Sequence, residues 1–201
     1  MRILHPTDFS QPAQKALTLA RDIRERSNGT LHVVHAQRRS DLDRPSSRPQ
    51  LDTFNPEMLN QLAEQRSAEV DRLLGMLSHM SSPDGTYELL WGNPVEELLA
   101  IQNRYDLVVM GAHGANRFDR HFLGGVAGRF VRRTDVPTIS VREEADVTRV
   151  RRIMVATDFG DASLGAWEFA KKFADLGAEL ILAHVVENDR ADKEGIANAV
   201  T

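Results

Sequence analysis

DLVVMGAHGANRFDRHFLGG, from Asp106 to Gly125, is the stretch that decides how this chain is read. Residues 106–110 have strand character and run straight into Gly111. Gly114 follows after two residues and Gly124 after nine more, just before a segment with helical character. A buried strand that feeds a glycine-punctuated loop and then a helix start is what an anion site made of backbone amides requires. Glycine reaches positive φ at little cost and lets main-chain N–H groups approach phosphate oxygens. A helix N-terminus adds unpaired N–H groups and a partial positive charge. Nucleotide phosphate is the ligand expected there.

Outward from this stretch, apolar runs alternate with helical patterns, the signature of parallel strands joined by crossover helices. Ile3–Pro6 reads as a first strand, ending at Thr7-Asp8-Phe9-Ser10. Ala13, Ala16, Leu17, Ala20 and Ile23 recur at helical spacing, and Asn28-Gly29 turns the chain. Leu31–Ala36 is the second strand. The polar, unpatterned residues 37–56 read as a long exposed loop. A helix opens at Pro56 and runs to about Met80, with Leu59, Leu62, Ala63, Leu73 and Leu77 directed at a core. Tyr87–Trp91 is the third strand, and Asn93-Pro94 supplies an N-cap and first helical residue. Leu107–Met110 is the fourth strand, Val126–Arg133 lies in a helix, and Pro137–Val141 is the fifth strand, its proline suiting a strand start or edge. The expected fold is a doubly wound α/β domain with a five-stranded parallel sheet.

A repeat follows. Arg152-Ile153-Met154-Val155-Ala156-Thr157-Asp158-Phe159 matches Arg2-Ile3-Leu4-His5-Pro6-Thr7-Asp8-Phe9 almost step for step. An amphipathic helix (Ala166, Phe169, Ala170, Phe173), Gly177 and the run Leu180–Val185 come next, with His184 where His35 stands. No counterpart of the glycine loop follows. The repeat reads as the first half of a second copy, a β-α-β unit. The division expected is a domain at 1–142, a linker at 143–150 and a partial second domain at 151–201.

Composition narrows the function classes. A net charge of −4 gives no reason to expect nucleic acid or an anionic membrane as partner. No apolar run approaches bilayer-spanning length. Met1–Pro6 enters a strand without a signal peptide's apolar region, so a cytoplasmic protein is expected. The absence of cysteine rules out disulfides, thiolate nucleophiles and cysteine-bound metals.

These residues resemble a universal stress protein domain. The likeness rests on Leu4-His5-Pro6-Thr7-Asp8-Phe9-Ser10, on His35-Ala36 at the end of the second strand, and on G-x2-G-x9-G at Gly111, Gly114 and Gly124. Gly92-Asn93-Pro94 and Asp135-Val136-Pro137 fit as well. The likeness covers residues 1–142 in full and about 151–187 as a half-domain. It implies a flavodoxin-like or Rossmann-like layout with sheet order 3-2-1-4-5 and helices on both faces. Strands 1 and 4 then adjoin at the point where the winding reverses, where ligands settle in open α/β sheets. By resemblance, Asp8 contacts a nucleoside, Ala36 lies by the adenine, and the glycine loop holds the phosphates. The implied site comprises Pro6, Thr7, Asp8, Ala36, Met110, Gly111, His113, Gly114, Arg117, Gly124, Gly125 and Val126. Its ligand would be ATP, or AMP or ADP, with Mg2+ only alongside ATP. The family also implies a homodimer or higher oligomer, commonly paired through the edge strand at Pro137–Val141.

One departure from the ATP-binding pattern bears on function. Members that bind ATP carry Ser or Thr directly after the third glycine, often with a small hydroxyl residue two positions on. Gly125 and Ala127 stand there here. A hydrogen bond to a charged group is worth roughly 1.5–3 kcal/mol, so losing one weakens binding about tenfold to a hundredfold. Arg117, Arg120 and His121, inside the loop, are candidates to compensate.

Plainer readings stand beside these. Asp8 either contacts ligand or helps start the first helix. His32 and His35 face opposite sides of a strand and cannot share a metal, and His35 is expected to pack beneath the site. His113 reads as a loop residue, and Arg129, Arg132 and Arg133 as a solvated helix face. No catalytic residues are indicated: no Ser-His-Asp set, clustered carboxylate pair or H-E-x-x-H pattern occurs. Three functions follow: nucleotide-dependent association in stress response, a nucleotide-free dimerising scaffold, and a slow ATPase with Asp8 helping to hold a cation. The half-repeat either pairs with its own copy or is a truncated piece of a tandem protein.

Overall fold

The computed structural model describes residues 1–38, 56–81, 85–113, 125–145 and 149–186. Contacts divide the chain into two compact units, Met1–Arg149 and Val150–Thr201.

In the first unit the chain runs β1 (Arg2–Pro6), α1 (Gln11–Arg26), β2 (Thr30–Gln37), α2 (Pro56–Met80) and β3 (Thr86–Trp91). It continues through α3 (Pro94–Ile101), a 3-10 turn (Gln102–Arg104), β4 (Leu107–Gly111), α4 (Gly125–Val131) and β5 (Thr138–Val141). The five strands form one sheet in the order β3-β2-β1-β4-β5. Every neighbouring pair is parallel. The sheet is the doubly wound one the sequence predicts. Pro137 lies one residue outside β5, and its carbonyl accepts from the Val108 amide at 2.9 Å. A ring that cannot donate sits where only an acceptor is needed.

Local signals set the helix starts. Ser10 caps α1, its Oγ accepting from the Ala13 amide at 3.4 Å, with Pro12 in the first turn. Asn93 caps α3 by accepting from the Val95 amide at 3.0 Å, and Pro94 is the first helical residue. Both place a short polar side chain on amides that have no partner within the helix.

Alternation along the buried strands gives the sheet two apolar faces. Leu4, Val34, Leu90, Val108 and Met110 pack with Leu98 and Ile101 of α3 and Ala127 and Phe130 of α4. Ile3, His5, Leu31, Val33, Leu107 and Val109 fill the alternate positions, and all are buried. Each large side chain so buried contributes roughly 1.5–3 kcal/mol. In α2, Leu73 and Leu77 are buried while Ala63 is exposed and Leu62 only half-buried. Among the described side chains, the apolar stripe expected along that helix therefore enters the core only through its second half, and Leu59 lies outside them.

The second unit holds β6 (Arg152–Ala156), α5 (Asp161–Asp175) and β7 (Glu179–Ala183), with β6 and β7 parallel. The pairing of Ile153 with Leu180 repeats that of Ile3 with Leu31. Val155, Ala170, Phe173 and Ala178 are buried, whereas Met154, Leu182 and Val185 are 69, 54 and 84 % exposed. Among the described residues one helix thus covers one side of a two-stranded sheet.

His5 is the polar exception within the sheet's core. It is fully buried in β1, and its Nδ1–H donates to the Val109 carbonyl at 2.8 Å. Nε2 has no partner among the described residues. Burial pushes its pKa down to about 4, and Arg21 adds to the drop, against the opposing pull of the Val109 hydrogen bond and Asp8. The folded state therefore favours the neutral ring. Its contribution is complete above the unfolded value near 6.5 and is lost as pH falls from there toward about 4. From pH 7 to pH 4.5 this amounts to roughly 2 kcal/mol. Urea unfolding at both pH values should show wild type losing about that much more stability than His5→Gln, and equal losses would exclude His5 as the titrating group.

Candidate functional site

At the C-terminal ends of β1 and β4, where the winding reverses, lies a cleft of about 560 Å³. That is within the roughly 300–1,000 Å³ usual for small-molecule sites. β1 and the turn after it contribute Pro6, Thr7 and Asp8; β4 and its exit contribute Met110, Gly111 and His113. Ala36 comes from β2, and Gly125 and Val126 from α4. Nine expected site residues are thus brought together. Gly114, Arg117 and Gly124 lie outside the described residues, as do Arg120 and His121.

The turn after β1 is held from several directions. The Thr7 amide donates to the Val34 carbonyl at 2.8 Å. His35 Nδ1–H donates to the Thr7 carbonyl at 2.8 Å, and the Phe9 amide donates to Thr7 Oγ1 at 3.0 Å. Phe9 has φ of 63°, a left-handed conformation that a bulky residue adopts at a cost of order 1–3 kcal/mol. Its ring lies against His35, with centroids 4.8 Å apart. His35 lines the cleft as well as bracing the turn. Asp8 is exposed; its Oδ1 accepts from the Ser10 amide at 3.1 Å and the Ser10 hydroxyl at 2.5 Å. The cap itself is Ser10. Asp8 supports that cap and borders the cleft, so both of its expected roles have a geometric basis.

The glycines differ from the opening expectation. Neither Gly111 nor Gly125 is among the positive-φ residues. A Cβ on Gly111 would lie 2.8 Å from the Ala13 nitrogen and 3.0 Å from the Pro12 carbonyl carbon. Glycine is required there because the start of α1 crosses the end of β4 at close quarters. On Gly125 a Cβ would meet, among the described residues, only Arg129 Nη2, at 3.7 Å.

Several lining residues were not anticipated. Val34, Pro94, Leu98 and Ala127 form an apolar floor, and Arg38 and Arg129 add two cations. Arg129 is exposed, as a solvated helix face requires, and it also borders the cleft, with its Nε–H donating to the Gly125 carbonyl at 2.6 Å. Arg133 does fit that description, pairing with exposed Glu96 at 2.6 Å. Spacing held the missing signal. Arg129 is four residues past Gly125 on one helix face, and Arg38 is two residues past Ala36, continuing the strand's alternation. Asp8 is the one carboxylate among the described lining residues. His113 Nε2 is buried without a partner among the described residues.

A model described as the universal stress protein family matches residues 1–142 and 149–201. The chain belongs to that family. Stress response protein NhaX of Bacillus subtilis (strain 168) is 26% identical over 163 residues, covering 70% of this chain and 97% of its own. A universal stress protein from Archaeoglobus fulgidus DSM 4304 has a similar fold, with TM-score 0.64 and 21% identity over 93% of this chain and 68% of that one. Universal stress protein UspA from Lactobacillus plantarum gives a TM-score of 0.52 and 25% identity, over 71% of this chain and 97% of its own.

The two described glycines of the loop should respond differently to a methyl group. Gly111→Ala forces backbone against backbone and should cost about 1–3 kcal/mol. Gly125→Ala opens onto a flexible side chain and should be neutral or stabilising by up to about 1 kcal/mol. Urea midpoints of the two variants check this, and equal costs would contradict the close approach at Pro12–Ala13.

Proposed function

We propose that the first unit binds an adenine nucleotide in the cleft between β1 and β4, and that occupancy alters its association with partners during stress response. The observation that carries this is the lining itself. An apolar floor suited to a base sits beside two arginines that have no acidic partner among the described residues, with Asp8 as the single carboxylate. A flat apolar ring and an anionic tail are the ligand chemistry such a surface favours. Asp8 would receive the ribose hydroxyls, Ala36 would lie by the base, and Gly111, His113, Gly125 and Val126 would border the phosphates. Bound Mg2+ would be held mainly through the phosphate oxygens, since no group of three or more metal-ligating side chains occurs among the described residues. Among the described lining residues no nucleophile is paired with a base, and slow hydrolysis stands as the third reading. No helix among the described residues is long and apolar enough to cross a membrane.

The scaffold reading keeps one specific support: Gly111 is fully accounted for by the packing of α1, with no ligand needed. The two are separated by denaturing purified protein and chromatographing the supernatant. Near-stoichiometric ATP, ADP or AMP is the expected result. Added ATP at about a hundred times its Kd should also stabilise the fold by roughly 2.7 kcal/mol. No recovered nucleotide and no shift in Tm would leave the scaffold reading.

The second unit should associate with another copy of the chain. Parallel strands are stable when both faces are covered, and a lone pair of strands is marginal. Met154, Phe159, Leu182 and Val185 are all more than half exposed. Light scattering at micromolar concentration should give a dimer or larger, shifted toward monomer by Met154→Asp. A monomeric wild type would defeat this assignment.

A further inference from the structure

We infer that Arg129 is the phosphate-reading side chain of the cleft, and that its charged fork takes the part a hydroxyl at position 125 would play. This rests on the nucleotide reading above and adds a residue and a ligand preference to it.

The argument begins with the space at Gly125. Among the described residues, a side chain there would meet nothing within 4 Å except the Arg129 guanidinium, 3.7 Å from the ideal Cβ. The guanidinium therefore occupies the neighbourhood that a residue-125 side chain would fill. One of its donors is committed: Nε–H binds the Gly125 carbonyl at 2.6 Å. That bond fixes the plane of the fork while leaving the four Nη protons without an acceptor among the described residues. Other arginines on this unit are engaged by carboxylates, Arg2 by Asp106, Arg72 by Glu69 and Arg133 by Glu96. Arg129 borders the cleft with no such neutralising partner among the described residues.

A planar guanidinium offers two parallel N–H donors at the spacing of two phosphate oxygens, and its charge is permanent. A serine hydroxyl offers one neutral donor. The substitution changes what the site selects. A hydroxyl contributes a local hydrogen bond, whereas an unneutralised cation rewards each added negative charge. The cleft should thus prefer ATP over AMP, and AMP over adenosine, more steeply than a hydroxyl-lined site. Its ATP affinity should also fall as salt rises.

The test is calorimetric titration of ATP, AMP and adenosine into the full chain as wild type, Arg129→Gln, Arg129→Lys, Gly125→Ser and the Gly125→Ser/Arg129→Gln double variant. Arg129→Gln should bind ATP about tenfold to a hundredfold more weakly, with adenosine unchanged. Arg129→Lys should fall between, retaining charge without the fork. Gly125→Ser should tighten ATP more in the Arg129→Gln background than in wild type, because both side chains serve the same oxygens. Equal ATP affinity in wild type and Arg129→Gln overturns the inference and leaves the nucleotide reading standing. A parallel loss of adenosine binding in Arg129→Gln also overturns it, by making the residue a support of the fold. Absence of binding by all three ligands to wild type overturns both.

Discussion

The pairing of β1 with β4 is the constraint on which the rest of the domain depends. β2 follows β1 on one side, and β4 must return across the sheet to take the other. The return is pinned at both ends. At the start of the strands, Arg2 donates from Nη2 and from its amide to Asp106, each at 2.8 Å, and the Asp106 amide donates to the Arg2 carbonyl at 2.8 Å. The guanidinium and the amide hydrogen bonds hold the Asp106 carboxyl down at about 2. At the far end, Gly111 lets β4 finish against Pro12 and Ala13 with no intervening side chain. Between these pins His5 bridges the strands through the Val109 carbonyl. The cleft is the space left above this pair because the chain exits β1 and β4 in different directions.

This arrangement gives different jobs to Gly111, the first glycine of the motif, and Gly125, the residue that follows its last glycine. Gly111 answers to the fold, through its contact with α1. Gly125 answers to the cleft, where its missing side chain leaves room beside Arg129. Neither needs a left-handed backbone. Among the described residues of the site, the one that does adopt positive φ is Phe9, in the turn after β1. Its strain is offset by the ring contact with His35 and by the two hydrogen bonds converging on Thr7. Among the described residues of this site, backbone strain is thus stored in the turn that presents Asp8.

Strand positions were legible because each buried strand is a short apolar run bounded by a turn signal, as at Leu107–Gly111 or Leu31–Ala36, whereas the sheet order came from the family resemblance. The cap at Asn93 was legible for the same local reason, whereas the cap of α1 is Ser10 and not Asp8. What spacing did not disclose is which partner a polar residue has. His5 reads as one more strand residue until Val109 is known to lie opposite. Arg129, Arg132 and Arg133 read alike until Glu96 is found beside the last of them and the cleft beside the first. Leu62 fits α2's apolar stripe, yet it is only half-buried because a stripe records what a helix can cover and not how far the sheet beneath it extends.

The half-repeat acts as an internal control on the meaning of the Thr-Asp turn. Phe159 has φ of 63°, the value found at Phe9. His184 Nδ1–H donates to the Thr157 carbonyl at 2.6 Å, and its ring lies 4.7 Å from that of Phe159. The Phe159 amide donates to Thr157 Oγ1 at 2.9 Å, and Asp158 accepts from the Gly160 amide at 2.9 Å. These reproduce the contacts around residues 7–10, in a unit whose described residues contain no counterpart of β4 or of the cleft. The turn is therefore a local product of Thr-Asp-Phe followed by a helix, plus one histidine from the next strand. A correctly formed Asp8 turn is then no evidence of a ligand by itself. The discriminating features are those the repeat lacks, namely the β4 exit, the apolar floor and the unneutralised Arg129, so any ligand-binding function must be carried by the contribution of β4, α3 and α4 to a turn that folds without them.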